Sequence, residues 1–248
     1  MKKYFRYLRL VSGVCASVLV LSAFVQVAMA QPLVVPTLNL NAPGLQIAGS
    51  HAADQAAFQQ RADGTWELKT PGGVHYPGAP WLTVQELNFL AADPISGPLI
   101  YGNMLVQNNT AALQTYTVGF TLPTTFPGPN LIRGSVDTSI IGTDGTISAL
   151  ANSSIYSAQI DFLAVRTLQG FPFTLSTTQS ANSSSAQFGF DLNNAAVTSS
   201  IGILLQFQLS PGDTAAIISD FQVVAVPEPS SMALLLAGGA LLIWRRRS

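Results

Sequence analysis

The chain has 248 residues, 48% of them hydrophobic and only 9% charged, with a formal net charge of −1. Seven of its eleven Lys and Arg lie at the two ends, as Lys2, Lys3, Arg6, Arg9 and Arg245 to Arg247, so residues 31–226 carry four basic against eleven acidic side chains, a balance of −7. That balance excludes a nucleic-acid or anionic-membrane surface for the middle of the chain. The single cysteine, Cys15, excludes a disulfide framework and a thiolate metal site there.

The basic start is followed by an apolar run from Leu10 to Val27 and by Ala28-Met29-Ala30. This three-part layout predicts a secretory signal peptide over residues 1–30. The Sec translocon would pass it and signal peptidase would cut it between Ala30 and Gln31. A retained N-terminal anchor is the alternative; the small Ala28 and Ala30 and the polar Gln31-Pro32 favour cleavage, and Cys15 leaves with the peptide.

Residues 31–226 suffice for one domain with its own core. Its first ambiguous stretch, the Ala-rich His51 to Arg61, reads as a short helix. From Ala62 to Pro80 the Gly and Pro content predicts an irregular loop around a strand at Thr65 to Lys69. Strands are then expected at Val84 to Ala91, Leu99 to Gln107, Leu131 to Ile141, Thr146 to Leu150, Ile155 to Leu168 and Thr214 to Val226. Tyr116, Val118, Phe120 and Leu122 alternate with Thr115, Thr117, Gly119 and Thr121, and Ile203, Leu205, Phe207 and Leu209 alternate in part with glutamines, the period-two mark of half-buried strands. Asp144-Gly145 suits a tight hairpin turn, and Ser210-Pro211-Gly212-Asp213 has proline and glycine where a type II turn needs them. The expectation is an all-β ectodomain, an antiparallel β-sandwich or jelly roll.

Chemistry is sparse in this stretch. His51 and His75 are the only histidines and form no ligand spacing, and no Gly-x-Ser-x-Gly elbow is present. Glu67 and Glu86, with Asp93 or Asp161, are the carboxylates a glycosidase would need within roughly 5–10 Å of each other, a separation that sequence does not fix. Asp137 and Gly142-Thr143-Asp144-Gly145-Thr146 resemble a calcium loop only loosely, since the closing glutamate is missing. No metal or cofactor is therefore expected. Trp66, Tyr76, Trp81 and Tyr101 cluster around the irregular loop and form a candidate glycan-contact set, with core packing as the alternative. Asn108, Asn152 and Asn182 head glycosylation-type triplets, for which Ser- and Asn-rich surface loops are the plainer explanation.

The tail, residues 227–248, begins with Pro227-Glu228-Pro229, continues as an uncharged run from Met232 to Trp244 and ends in Arg245-Arg246-Arg247. As a helix, the 13 residues 232–244 would cover about 20 Å of a hydrocarbon core of about 30 Å. That is short for a permanent anchor and suits a segment held until processing. The arginines set its cytoplasmic side. The motif Val226-Pro227-Glu228-Pro229, the short apolar segment and the terminal arginines, in that order, resemble the PEP-CTERM sorting signal. The resemblance implies that Pro227, Glu228 and Pro229 are read by an exosortase. It further implies a protein anchored transiently in the inner membrane, facing the periplasm, and then delivered to the cell surface or medium in connection with exopolysaccharide and biofilm. Three functions are compatible with these readings: a non-enzymatic surface or matrix protein, a carbohydrate-binding module, and an extracellular glycoside hydrolase.

Overall fold

Strand patterns of alternating burial organise the whole described chain. The computed structural model describes residues 37–42, 47–52, 58–62, 65–68, 74–76, 79–90 and 96–226. In chain order the strands are β1 (Thr37–Ala42), β2 (Ile47–Ala52), β3 (Phe58–Gln60), β4 (Trp66–Leu68), β5 (Val74–Tyr76), β6 (Ala79–Leu90), β7 (Leu99–Gln107) and β8 (Gln114–Pro123). They continue as β9 (Asn130–Ile141), β10 (Thr146–Ser148), β11 (Ser154–Ile160), β12 (Leu163–Gly170), β13 (Thr174–Ser176), β14 (Ala181–Asn193), β15 (Ser200–Leu209) and β16 (Thr214–Ala225). The all-β expectation is met. The signal peptide and the tail segment 232–244 lie outside the described residues.

All pairings are antiparallel and build two sheets. Sheet A runs β12-β11-β15-β8-β1-β2, with β10 and β13 attached; sheet B runs β14-β9-β16-β7-β6-β4-β3, with β5 attached. Alternation decides what each strand gives to the space between them. Ile132, Val136 and Ile140 of β9, Ile217, Phe221 and Val223 of β16, and Ile100, Met104 and Val106 of β7 are buried from one side. Tyr116, Val118 and Phe120 of β8 and Ile203, Leu205 and Phe207 of β15 are buried from the other. Trp81 lies 5.0 Å from Tyr116 across the gap, and the Tyr156 hydroxyl of β11 donates to the backbone carbonyl of Asp220 in β16 at 2.7 Å. The result is a β-sandwich with an aromatic core.

Several expectations need correction. The Ala-rich stretch is not a helix where it is described: His51 and Ala52 end β2, and Phe58 to Gln60 form β3. Phe58 packs edge-on against Phe89 at 5.2 Å, so a long-range contact outweighs alanine's helix propensity. Asp144-Gly145 is not a hairpin turn, because β9 belongs to sheet B and β10 to sheet A, and the segment carries the chain between sheets. It is shaped by Asp213: a Cβ on Gly142 would stand 2.2 Å, and one on Gly145 2.8 Å, from that carboxylate. The expected strand 155–168 is two strands, turned at Asp161-Phe162, whose φ values of 51° and 66° match a two-residue hairpin loop. Gly212, by contrast, has the positive φ, 79°, that a type II turn asks of its third residue.

Candidate functional site

Seven of the eight strands of sheet B align one outward residue each into a continuous row. Gln187 of β14 pairs with Ser135 of β9, Ser135 with Asp220 of β16, Asp220 with Tyr101 of β7, and Tyr101 with Asn88 of β6. Asn88 then pairs with Glu67 of β4, and Glu67 with Gln59 of β3. Six interstrand steps of about 4.8 Å make this a band of roughly 29 Å, running across the strands. The row follows from parity, since its members alternate with Ala186, Gly134, Phe221, Ile100 and Phe89 of the buried face.

A groove of about 630 Å³ lies over the middle of the row, lined among others by Asn88, Tyr101, Arg133, Gln187, Phe190 and Asp220. One rim is an irregularity in β14 between Phe188 and Asp191, which turns Phe190 out to 57% exposure. The Arg133 guanidinium stands 5.5 Å from the centre of that ring, while its Nε donates to the Gln222 side chain at 2.7 Å. The stacking arrangement fixes both groups on the rim.

Along the row and beside it the polar groups largely orient one another. Ser135 donates to Asp220, Asn88 Nδ2 donates to Glu86 at 2.7 Å, and Gln59 Nε2 donates to Glu67 at 2.7 Å. Arg61 pairs with Glu67. Tyr101 is hydrogen-bonded to Glu86; burial, then the charges of Glu86 and Asp220, raise its hydroxyl above the ordinary value of 10, so it remains a neutral donor. One group is left over: Asn88 Oδ1 is buried and accepts no hydrogen bond among the described residues. A buried acceptor in that state is costly unless something else bonds it.

Of the candidate glycan contacts, Tyr101 lies in this groove. Trp81 does not: it is 3% exposed in the core, against Tyr116, because its register places it on the inner face. Trp66 is half-buried and pairs with Phe89, on the side opposite Glu67. Tyr76 pairs within β5 and β6, and its side chain lies outside the described part of the structure. Glu67 and Glu86 share the outer face of sheet B, on neighbouring strands, whereas Asp161 belongs to the turn between β11 and β12 on sheet A and Asp93 lies outside the described residues. His51 and His75 sit in β2 and β5 respectively. Asp137 stands in the middle of β9 and Asp144 in the crossing after it, and among the described residues no three His, Cys, Asp or Glu side chains gather around a cation site.

Asn108 is not available for a glycan. It is fully buried, its Nδ2 donating to the carbonyls of Ala112 and Leu209 at 2.8 Å each and its Oδ1 accepting from Thr110. Asn152 and Asn182 are exposed, the latter donating to the Ser176 carbonyl at 2.7 Å. Sequence reading missed Asn88, Ser135, Gln187, Phe190 and Asp220. Strand parity points Tyr101 and Asp220 outward, but only register brings the row together.

Residues 225–247 match the PEP-CTERM protein-sorting motif. The chain therefore carries the sorting signal that its last residues resemble; Pro227, Glu228, Pro229 and Arg245 to Arg247 fall within the match but outside the described residues. Such a motif implies processing by an exosortase and delivery to the surface or outside of the cell. No curated protein matches the chain. Among solved structures it is similar to TmCBM61 in complex with β-1,4-galactotriose, at 10% identity and a TM-score of 0.33, over 76% of this chain and 88% of that one. It is also similar to the Stig cyclase Fisc from Fischerella sp. TAU, at 9% identity and a TM-score of 0.24, over 70% of this chain and 92% of that one. These likenesses are distant, and nothing about a ligand follows from them.

Proposed function

We propose that this protein is a non-enzymatic surface or matrix component, sorted by an exosortase, whose sandwich holds extracellular polysaccharide on the outer face of sheet B. The observation that carries this reading is the row from Gln187 to Gln59. It places hydrogen-bonding side chains at the regular spacing of strands, across the sheet, beside the Tyr101 and Phe190 rings. A linear polymer of hydroxyl-bearing rings presents the complementary pattern, with C–H faces for the aromatics and hydroxyls for the amides and carboxylates.

Binding is favoured over hydrolysis by how the carboxylates are used. Glu67 is held by Gln59 and Arg61, Glu86 by Asn88, and Asp220 by Ser135, so each serves as an acceptor that fixes a neighbour. Retention of the protein on gels containing soluble polysaccharide tests the reading. Tyr101→Ala should lower retention about tenfold, the loss expected for one aromatic contact, with no change in melting beyond a few degrees. Undiminished retention, or release of reducing ends from any polymer in the gel, would refute it.

A further inference from the structure

The outer face of sheet A carries a second groove of about 560 Å³ with different chemistry. Ser157 and Gln159 of β11, Thr167 of β12, and Leu204 and Gln206 of β15 form its floor, and none of its lining residues is charged. Register places Ser157 between Thr167 and Leu204, so these strands present one surface. Exposed rings stand at the two ends of β12: Phe162 precedes the strand and is 65% exposed, and Phe171 follows it at 57%.

The turn that carries Phe162 is held in place through Asp161. It lies at φ 66°, a left-handed conformation that is rare for a bulky side chain. Asp161 pins the turn from the other side. Its carboxylate accepts from the amides of Ser199, Thr198 and Ser200 at 2.7, 3.0 and 3.0 Å, and from the hydroxyls of Thr198 and Ser199 at 2.7 and 2.9 Å. A strained residue persists only where its surroundings over-determine it, and such residues gather at binding sites. Here the pinned turn presents an aromatic ring to solvent beside a floor of amides and hydroxyls.

We propose that this is a second glycan-binding groove, for uncharged polysaccharide, and that the domain thereby bridges two polymer chains. It rests on the reading of sheet B as a polysaccharide surface. The exposed rings offer stacking faces to the C–H sides of sugar rings, and Gln159, Gln206, Ser157 and Thr167 offer hydrogen bonds to hydroxyls. A lining without a cation gives the carboxylates of an acidic polymer no partner to offset their desolvation. Because the two grooves occupy opposite outer faces of a sandwich whose sheets pack about 10 Å apart, both can be filled at once. A protein with two such sites joins chains that neither site joins alone.

The test uses the purified full chain with soluble β-glucan, xylan, galactomannan and polygalacturonate, followed by gel retention and by clumping of polymer-coated beads. The wild type is expected to be retained by at least one neutral polymer and to clump beads bearing it. The double variant Phe162→Ser, Phe171→Ser should still be retained, through sheet B, but should lose clumping, while Phe162→Tyr with Phe171 intact should clump as the wild type does. Full clumping by the double variant, its melting temperature held within a few degrees, overturns the second groove alone. Clumping of polygalacturonate-coated beads in preference to neutral ones overturns the assignment of ligand class. Absence of wild-type retention on every polymer overturns the sheet B reading and this one together.

Discussion

Gly134 lies under the sheet B groove at the closest approach of three elements, and replacing it with alanine probes the link between core and site. A Cβ there would stand 2.5 Å from the Tyr156 hydroxyl, 2.7 Å from the Asp220 carbonyl and 3.0 Å from the Phe188 ring. Tyr156 cannot swing aside, since it is fully buried and its hydroxyl is bonded to that same carbonyl at 2.7 Å. Overpacking of this kind costs about 1–3 kcal/mol, and a displaced, unbonded hydroxyl adds about 1–3 kcal/mol. Gly134→Ala should therefore destabilise by about 2–6 kcal/mol and lower the melting temperature by several degrees or more. Tyr156→Phe alone should cost about 1 kcal/mol, the net worth of one hydrogen bond. Combining them removes the nearest of the three crowding atoms and leaves the Asp220 carbonyl and the Phe188 ring, so the double variant should be more stable than the sum of the two by about 1 kcal/mol. Urea unfolding followed by far-ultraviolet circular dichroism measures all four corners of the cycle. Strict additivity would show that the hydroxyl is not what Gly134 makes room for.

Three further outcomes are expected. Desolvation opposes the charge on Asp161, but the hydroxyl of Thr198 and the amides of Ser200, Thr198 and Ser199 outweigh it and hold the carboxyl well below the usual range. Its stabilisation is thus fully present above the unfolded value near 3.9 and is lost as pH falls through the lower folded value; Asp161→Asn should lower the melting temperature by several degrees at neutral pH, with the gap from the wild type closing in acid. Asn108→Ala should cost about 2–4 kcal/mol by stranding the carbonyls of Ala112 and Leu209, and mass spectrometry after expression in a glycosylating host should find Asn108 bare. Glu228→Ala should be exported yet keep its tail, whereas Ser at Arg245 to Arg247 should disturb topology by removing the cytoplasmic charges; immunoblots of mature size with and without the exosortase distinguish the two, and normal maturation of the Glu228 variant would contradict a role in recognition.

How far the fold was legible depended on whether a strand buries one face. The strand at Leu99 to Gln107 was placed to the residue, because Ile100, Met104 and Val106 alternate with half-buried partners. β14 is not legible because ANSSSAQFGFDLN offers only Ala186 and Phe188 on its inner side, too few apolar residues to betray its period; it is an edge strand whose one ladder is with β9. The break at Asp161-Phe162 was hidden for a different reason, since phenylalanine is a poor turn former and only the clamp from Thr198 to Ser200, nearly forty residues on, makes the turn possible. The same dependence on distant register explains the site. Trp81 and Tyr101 look alike as candidates in the sequence, yet one is core and the other lines the groove. The row itself draws on residues from Gln59 to Asp220 that no local window contains.

The place of β16 in sheet B has a mechanical consequence. The sorting motif begins at residue 225, where β16 ends, so load applied through the tail enters the sandwich along that strand. β16 is bonded on one side to β9 over its whole length and on the other to β7 from Thr214 to Gln222. Tension along its axis would be shared by two ladders in shear, with many hydrogen bonds strained together, instead of unzipping from an edge one bond at a time. A protein held at the cell surface against flow would thus be gripped at the middle of a sheet, and the edge strands β14 and β3 could be lost before the grip is.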